Sequence, residues 1–143
     1  MFNKHQNNSE RLTTWRKLRQ QEFSNELEVV EAFGSIKQSD RYIDYYNPQT
    51  WPSVFDIVSE GYLCCTGVSL ILASTLIHKG FIPVDEIEFV LISNNVLGTI
   101  GAHIKHGNKY YNFYPGEISS EEIIQSDATL FNYVKIPDLS ILS

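Results

Sequence analysis

Two adjacent cysteines, Cys64 and Cys65, head the most apolar stretch of the chain, and His103 and Asn112 lie on either side of a later Gly-Asn turn. Cysteine, histidine and an amide are the side chains of nucleophilic acyl chemistry. A thiolate attacks a carbonyl, an imidazole carries the proton, and a third group fixes the ring. The segment Leu63 to Ile77 carries Val, Leu, Ile or Ala on more than one face, which predicts a central helix covered on most sides. A cysteine at its start meets unpaired backbone N–H groups and the positive end of the helix dipole. Such a position can bring a thiol pKa from about 8.5 to between about 3.5 and 7.5, and the same N–H groups can serve as an oxyanion hole. Either Cys64 or Cys65 fits this role.

Gly107-Asn108 is the sequence of a two-residue hairpin loop. With that loop as a ruler, His106 faces Lys109, Lys105 faces Tyr110, Ile104 faces Tyr111 and His103 faces Asn112. Opposed residues share one side of the sheet at a Cβ separation of roughly 4.5–5.5 Å. Ala102, Ile104, Tyr111 and Phe113 then form a core face. His103, Lys105, Tyr110, Asn112 and Tyr114 form the other, where the Asn112 amide is expected to orient the His103 imidazole.

The elements that hold these residues follow from pattern and punctuation. Residues 1–9 are polar and expected to fray. Leu12, Trp15 and Leu18, then Phe23, Leu27, Val30 and Phe33, recur at helical spacing, giving one long helix or two joined near Gln20. Residues 35–50 read as loop. Thr50 is the expected N-cap of a short helix with Pro52 in its first turn, ending at Gly61. After Lys79-Gly80 the period becomes two: Ile87, Phe89 and Leu91 alternate with Glu86, Glu88 and Val90, the mark of a strand with one buried face. Thr99 to His106 and Lys109 to Tyr114 follow as strands. A short helix at 121–125 opens on a Ser119/Glu122 capping box, 129–136 is a last strand, and the tail after Pro137 is loose. Helices first and sheet afterwards predict an α+β fold, with N-terminal helices and a central buried helix on a 3–4 stranded antiparallel sheet. The whole, residues 1–143, forms one domain, with a helical arm and loop over 1–48 and the α+β core over 49–143.

The order of these pieces resembles the transglutaminase-like branch of papain-fold cysteine enzymes over roughly residues 60–116. GYLCCTGVSLILASTLIHKGFIP matches a cysteine opening an apolar helix with its stop, EIEFVLI the following strand, and GAHIKHGNKYYNFYP the histidine hairpin. The resemblance implies a nucleophile at Cys64 or Cys65, a base at His103, and a third member on the returning strand. Tyr114 stands where the family has Asp before Pro115, leaving Asn112 as the substitute, and Ile104 replaces the usual Trp after the histidine. Separately, DYYNPQTWPSVFDIVSEGYLC resembles small proteins of tailed bacteriophages, which implies a viral origin.

Composition bounds the alternatives. The 143 residues are 43% apolar and 20% charged, ordinary for one globular domain. No run of 18 apolar residues suggests a membrane span. Met1 to Glu10 has no apolar core of a secretory signal, so a cytoplasmic protein with reduced thiols is expected, in host cytoplasm if viral. A net charge of −6 argues against nucleic acid as a partner. Arg11, Arg16, Lys17 and Arg19 read as a solvated face complementing Glu22, Glu26 and Glu28. Neither the cysteines nor His5, His78, His103 and His106 have metal-ligand spacing, and no phosphate loop occurs, so no metal or cofactor is expected.

Two functions remain. One is a cysteine amidase, peptidase or acyltransferase acting on a protein or peptide through Cys64 or Cys65, His103 and Asn112. The other is a catalytically inactive binding module or inhibitor of a host protein, with buried thiols and its abundant tyrosines in an interaction patch.

Overall fold

The computed structural model describes residues 1–3 and 5–143. It has the predicted α+β architecture, with five α-helices packed on a five-stranded antiparallel sheet. The arm is two helices, α1 (Asn8–Gln20) and α2 (Glu26–Phe33). Asn7 and Glu10 cap α1 reciprocally, and the Asn25 side chain accepts the Glu28 N–H to start α2. The expected fraying of residues 1–9 is not observed where the chain is described. Phe2 is buried and the Asn7 cap closes the helix; Lys4 lies outside the described residues.

Helix α3 (Val54–Glu60) is capped by Ser53 rather than Thr50, which ends a 3-10 turn over Pro48–Thr50. Trp51 precedes Pro52 and is therefore held extended (φ −64°, ψ 131°), so no helix can begin before the proline. Gly61, at φ 77°, ends α3 in the left-handed conformation.

Helix α4 (Cys65–His78) is the axis of the molecule: every residue from Thr66 to Leu76 is buried. Its first turn presses so closely on the preceding loop that a Cβ at Gly67 would lie 1.8 Å from the Tyr62 carbonyl oxygen.

The strands are β1 (Glu88–Asn94), β2 (Thr99–His106), β3 (Lys109–Tyr111), β4 (Ile118–Ser119) and β5 (Ala128–Val134), in the spatial order β4-β3-β2-β1-β5. The fifth strand beyond expectation is the two-residue β4, too short to leave a periodic signature. Helix α5 (Glu121–Asp127) starts one residue later than the predicted cap, at Ser120, because Ser119 belongs to β4.

Both faces of the sheet are covered. α4 packs on one side. On the other, Ile124 of α5 joins Val90, Ile92, Tyr110 and Phe113 in a second cluster. The predicted one-sided β1 is thus buried on both faces from Phe89 to Ile92. The tail is also ordered, with Ile136 and Leu142 both buried.

Of the predicted basic face, Arg11 donates to the Val58 and Ser59 carbonyls at the end of α3. Arg19 lies over the Trp15 ring and reaches Ser74. These two arginines tie α1 to the core instead of pairing with the nearby glutamates.

Candidate active site

The two cysteines separate at the start of α4. Cys64 is the N-cap, with extended backbone (φ −78°, ψ 173°). Its sulfur accepts the Gly67 N–H and the Ile43 N–H, each at 3.4 Å, and the residue is buried. Cys65 is the first helical residue, and its Sγ lies 3.1 Å from His103 Nε2.

The start of α4 is fastened to β2 at this point. Thr66 Oγ1 accepts the Ala102 N–H at 3.2 Å. Gly101 is needed beside it: a Cβ there would come to 3.0 Å from Cys65 Sγ and from Thr66 Oγ1. Gly101 and His103 are two apart on a strand and share a face. The missing side chain at the first leaves room for the sulfur beside the second.

His103 is buried at 3% exposure, with the Phe113 ring edge-on at 6.0 Å. Its Nδ1 lies 3.5 Å from the Tyr111 carbonyl oxygen. A carbonyl only accepts, which assigns the ring proton to Nδ1 and leaves Nε2 free to accept from Cys65. Burial pushes the imidazole pKa down to about 4, against a small upward pull from the Tyr111 carbonyl. Burial, and then the neighbouring Cys64, push the Cys65 thiol up to about 12, although the residue as a whole is only half-buried. Burial thus favours the neutral form of both the thiol and the imidazole.

Asn112 does not face His103 as the hairpin ruler predicted. The register holds for His106↔Lys109, Lys105↔Tyr110 and Ile104↔Tyr111, and the ladder ends there. Asn112 adopts φ 60°, its Oδ1 accepts the Gly116 N–H at 2.8 Å, and its own N–H donates to Glu117 O. Asparagine tolerates the left-handed region better than most residues, and that turn moves Phe113 from the predicted core face into the second cluster. Asn112 still borders a small cavity of about 60 Å³ with Cys65 and His103. The Tyr111 carbonyl stands where an orienting side chain was expected.

On its other side Cys65 borders an open cleft of about 460 Å³, walled by Tyr42 and Tyr45 opposite Gly98, Thr99 and Ile100. Gln38 lines both spaces. Sequence reasoning missed Thr66, Gly101 and the cleft walls. The one available signal was glycine inside a strand, which marks a close approach. His106 bonds Glu86 at 3.1 Å, away from this site, and His78 ends α4. Among the described residues no group of three or more His, Cys, Asp or Glu is gathered to hold a metal ion.

No family model matches the sequence. No curated protein matches it either. Among solved structures, the chain is similar to Legionella pneumophila LapG, at TM-score 0.65 and 14% identity, covering 90% of this chain and 74% of LapG. The calcium-bound form of LapG gives TM-score 0.62 and 14% identity over 92% and 77% of the two chains. The EGTA-treated form gives 0.62 and 16% over 90% and 74%. At these identities the likeness is one of fold, and the fold is transglutaminase-like.

Proposed function

We propose that the chain is a cysteine-dependent amidase, peptidase or acyltransferase acting on protein or peptide carbonyls, with Cys65 as nucleophile and His103 as base. The observation that carries this reading is the 3.1 Å approach of Cys65 Sγ to His103 Nε2 at a helix start that opens on a cleft. The transglutaminase-like cysteine protease fold shared with LapG supports it.

The thiol proton passes to His103 Nε2 as sulfur bonds to the carbonyl carbon. The oxyanion so formed is met by the N–H groups of the first turn of α4. Those of Cys65 and Thr66 have no acceptor among the described residues, while Cys64 engages the Gly67 and Val68 N–H groups. The C–N bond then breaks, the amine leaves with the proton from His103, and a thioester remains on Cys65. Water, or an amine in acyl transfer, attacks the thioester, gives its proton to His103, and the thiol is restored. The Tyr111 carbonyl steadies the imidazolium in each half-reaction. Asn112 acts indirectly, by holding the turn from which that carbonyl projects.

The test is amide cleavage in a panel of fluorogenic peptide amides, followed with wild type, Cys65→Ala and His103→Asn. Both variants are expected to lose at least about a thousandfold in rate. Equal turnover by Cys65→Ala would sink the proposal.

A second reading, a binding module, is favoured by one observation. The edge strand β5 exposes Leu130, Phe131 and Tyr133, with a bulge where the pairing skips Phe131. Its signature is a complex with a protein partner that survives Cys65→Ala and is lost on Phe131→Asp.

A further inference from the structure

The edge of β2 beside Cys65 has room for a strand that none of the described residues supplies. Successive residues of a strand turn their N–H and C=O groups to opposite edges. In a two-residue hairpin the residues flanking the loop, His106 and Lys109, bond to each other. Ile104, Ala102 and Ile100 therefore turn toward the β3 side, while Lys105, His103, Gly101 and Thr99 turn toward β1. Ile104 has its partner in Tyr111, the last residue of β3. Ala102 points its N–H at Thr66 Oγ1 of α4, which bears out the direction. Ile100 comes next, and beyond it on that edge lies the cleft, with no strand among the described residues. β3 stops short because Asn112 turns the chain away at φ 60°.

We propose that Ile100 is the docking point of an extended peptide, which pairs its backbone with the Ile100 N–H and C=O and so brings a carbonyl to Cys65. This rests on the acyl-transfer reading of the site and names its substrate class as extended polypeptide. Three features favour that occupant. An added strand would lie about 4.8 Å from β2, in the space between Ile100 and the opposing Tyr42–Tyr45 wall. That wall is itself anchored at the active helix, through the Ile43 N–H on Cys64 Sγ. Every residue lining the cleft is uncharged, which suits a peptide backbone with uncharged side chains and gives a phosphorylated or polyanionic ligand no counter-charge. Affinity then comes from main-chain hydrogen bonds and selectivity from alternate side chains, as in other strand additions.

The experiment uses isotopically labelled Cys65→Ala protein with a mixture of random-sequence octapeptides, and the same mixture N-methylated at every residue, which removes the donors from both edges. With the unmodified mixture, the Ile100 amide resonance is expected to shift and its hydrogen exchange to slow at least about tenfold; the N-methylated mixture leaves both unchanged. No shift at Ile100 at millimolar peptide, or an equal shift with the N-methylated mixture, overturns the inference. The two readings fail separately. Ile100 protection without amide cleavage by wild type removes the enzyme and leaves the docking edge. Cleavage without protection does the reverse.

Discussion

Cys64 and Cys65 are covalent neighbours whose sulfurs serve opposite sides of the helix start. One sulfur accepts the N–H groups of Ile43 and Gly67, and the other meets His103. The pair therefore divides into a cap and a thiol held against the imidazole, the one proposed as nucleophile. Cys64→Ala is expected to cost about 1 kcal/mol, the usual loss for an N-cap, in urea unfolding. Cys65→Ala should leave the unfolding midpoint nearly unchanged and abolish labelling by a peptide acyl-electrophile. Labelling that persists in Cys65→Ala and vanishes in Cys64→Ala would reverse the assignment.

His103 makes stability depend on acid. The unfolded imidazole takes up its proton near pH 6.5, the folded one only near pH 4, because burial disfavours the cation. Between these values the unfolded chain binds more protons, so stability is full above pH 6.5 and falls as the pH drops toward 4. The loss amounts to about 3 kcal/mol. Urea midpoints at several pH values, compared with His103→Asn, measure it; the variant should lack this limb.

Gly101→Ala tests the packing of the site. The new methyl meets Cys65 Sγ and Thr66 Oγ1 at 3.0 Å, and overpacking of this kind costs about 1–3 kcal/mol. Because the displaced group is the sulfur itself, amide cleavage is expected to fall by about a hundredfold in protein that remains folded by circular dichroism.

Asn112 separates an orienting amide from a turn. Asn112→Asp keeps an acceptor for the Gly116 N–H. If the Tyr111 carbonyl orients His103, this variant retains most of the cleavage rate. Asn112→Ala loses the turn and about 1 kcal/mol of stability. A hundredfold drop in Asn112→Asp at unchanged stability would restore the amide to the catalytic group.

Glu26 links the arm to the hairpin. It accepts from the Tyr111 hydroxyl at 2.8 Å and pairs with Lys109 at 2.7 Å, and these bonds hold its carboxyl below the usual range despite burial acting the other way. Glu26→Gln is expected to destabilise the protein by about 1 kcal/mol and to raise the exchange rate of the Tyr111 amide, read by NMR.

What the sequence determined by itself is what local physics decides. The apolar run with its Lys-Gly stop specifies α4, and the Gly-Asn loop specifies the register of β2 on β3 from His106 to Ile104. From these alone, a cysteine at a helix start and a histidine on the following hairpin were legible. Tertiary structure decided which cysteine meets the histidine. The direction of a side chain in the first turn has meaning only once β2 lies beside it, and Gly101 and Thr66 set that contact. It also decided what faces His103, because the oxygen nearest Nδ1 is a backbone carbonyl and every residue carries one. The turn at Asn112 ended the ladder at Tyr111, where alternation carries the strand on to Tyr114, and α5 buried a sheet face that period-two reasoning left in solvent. Each of these depends on segments meeting across the fold, which no spacing within one segment encodes.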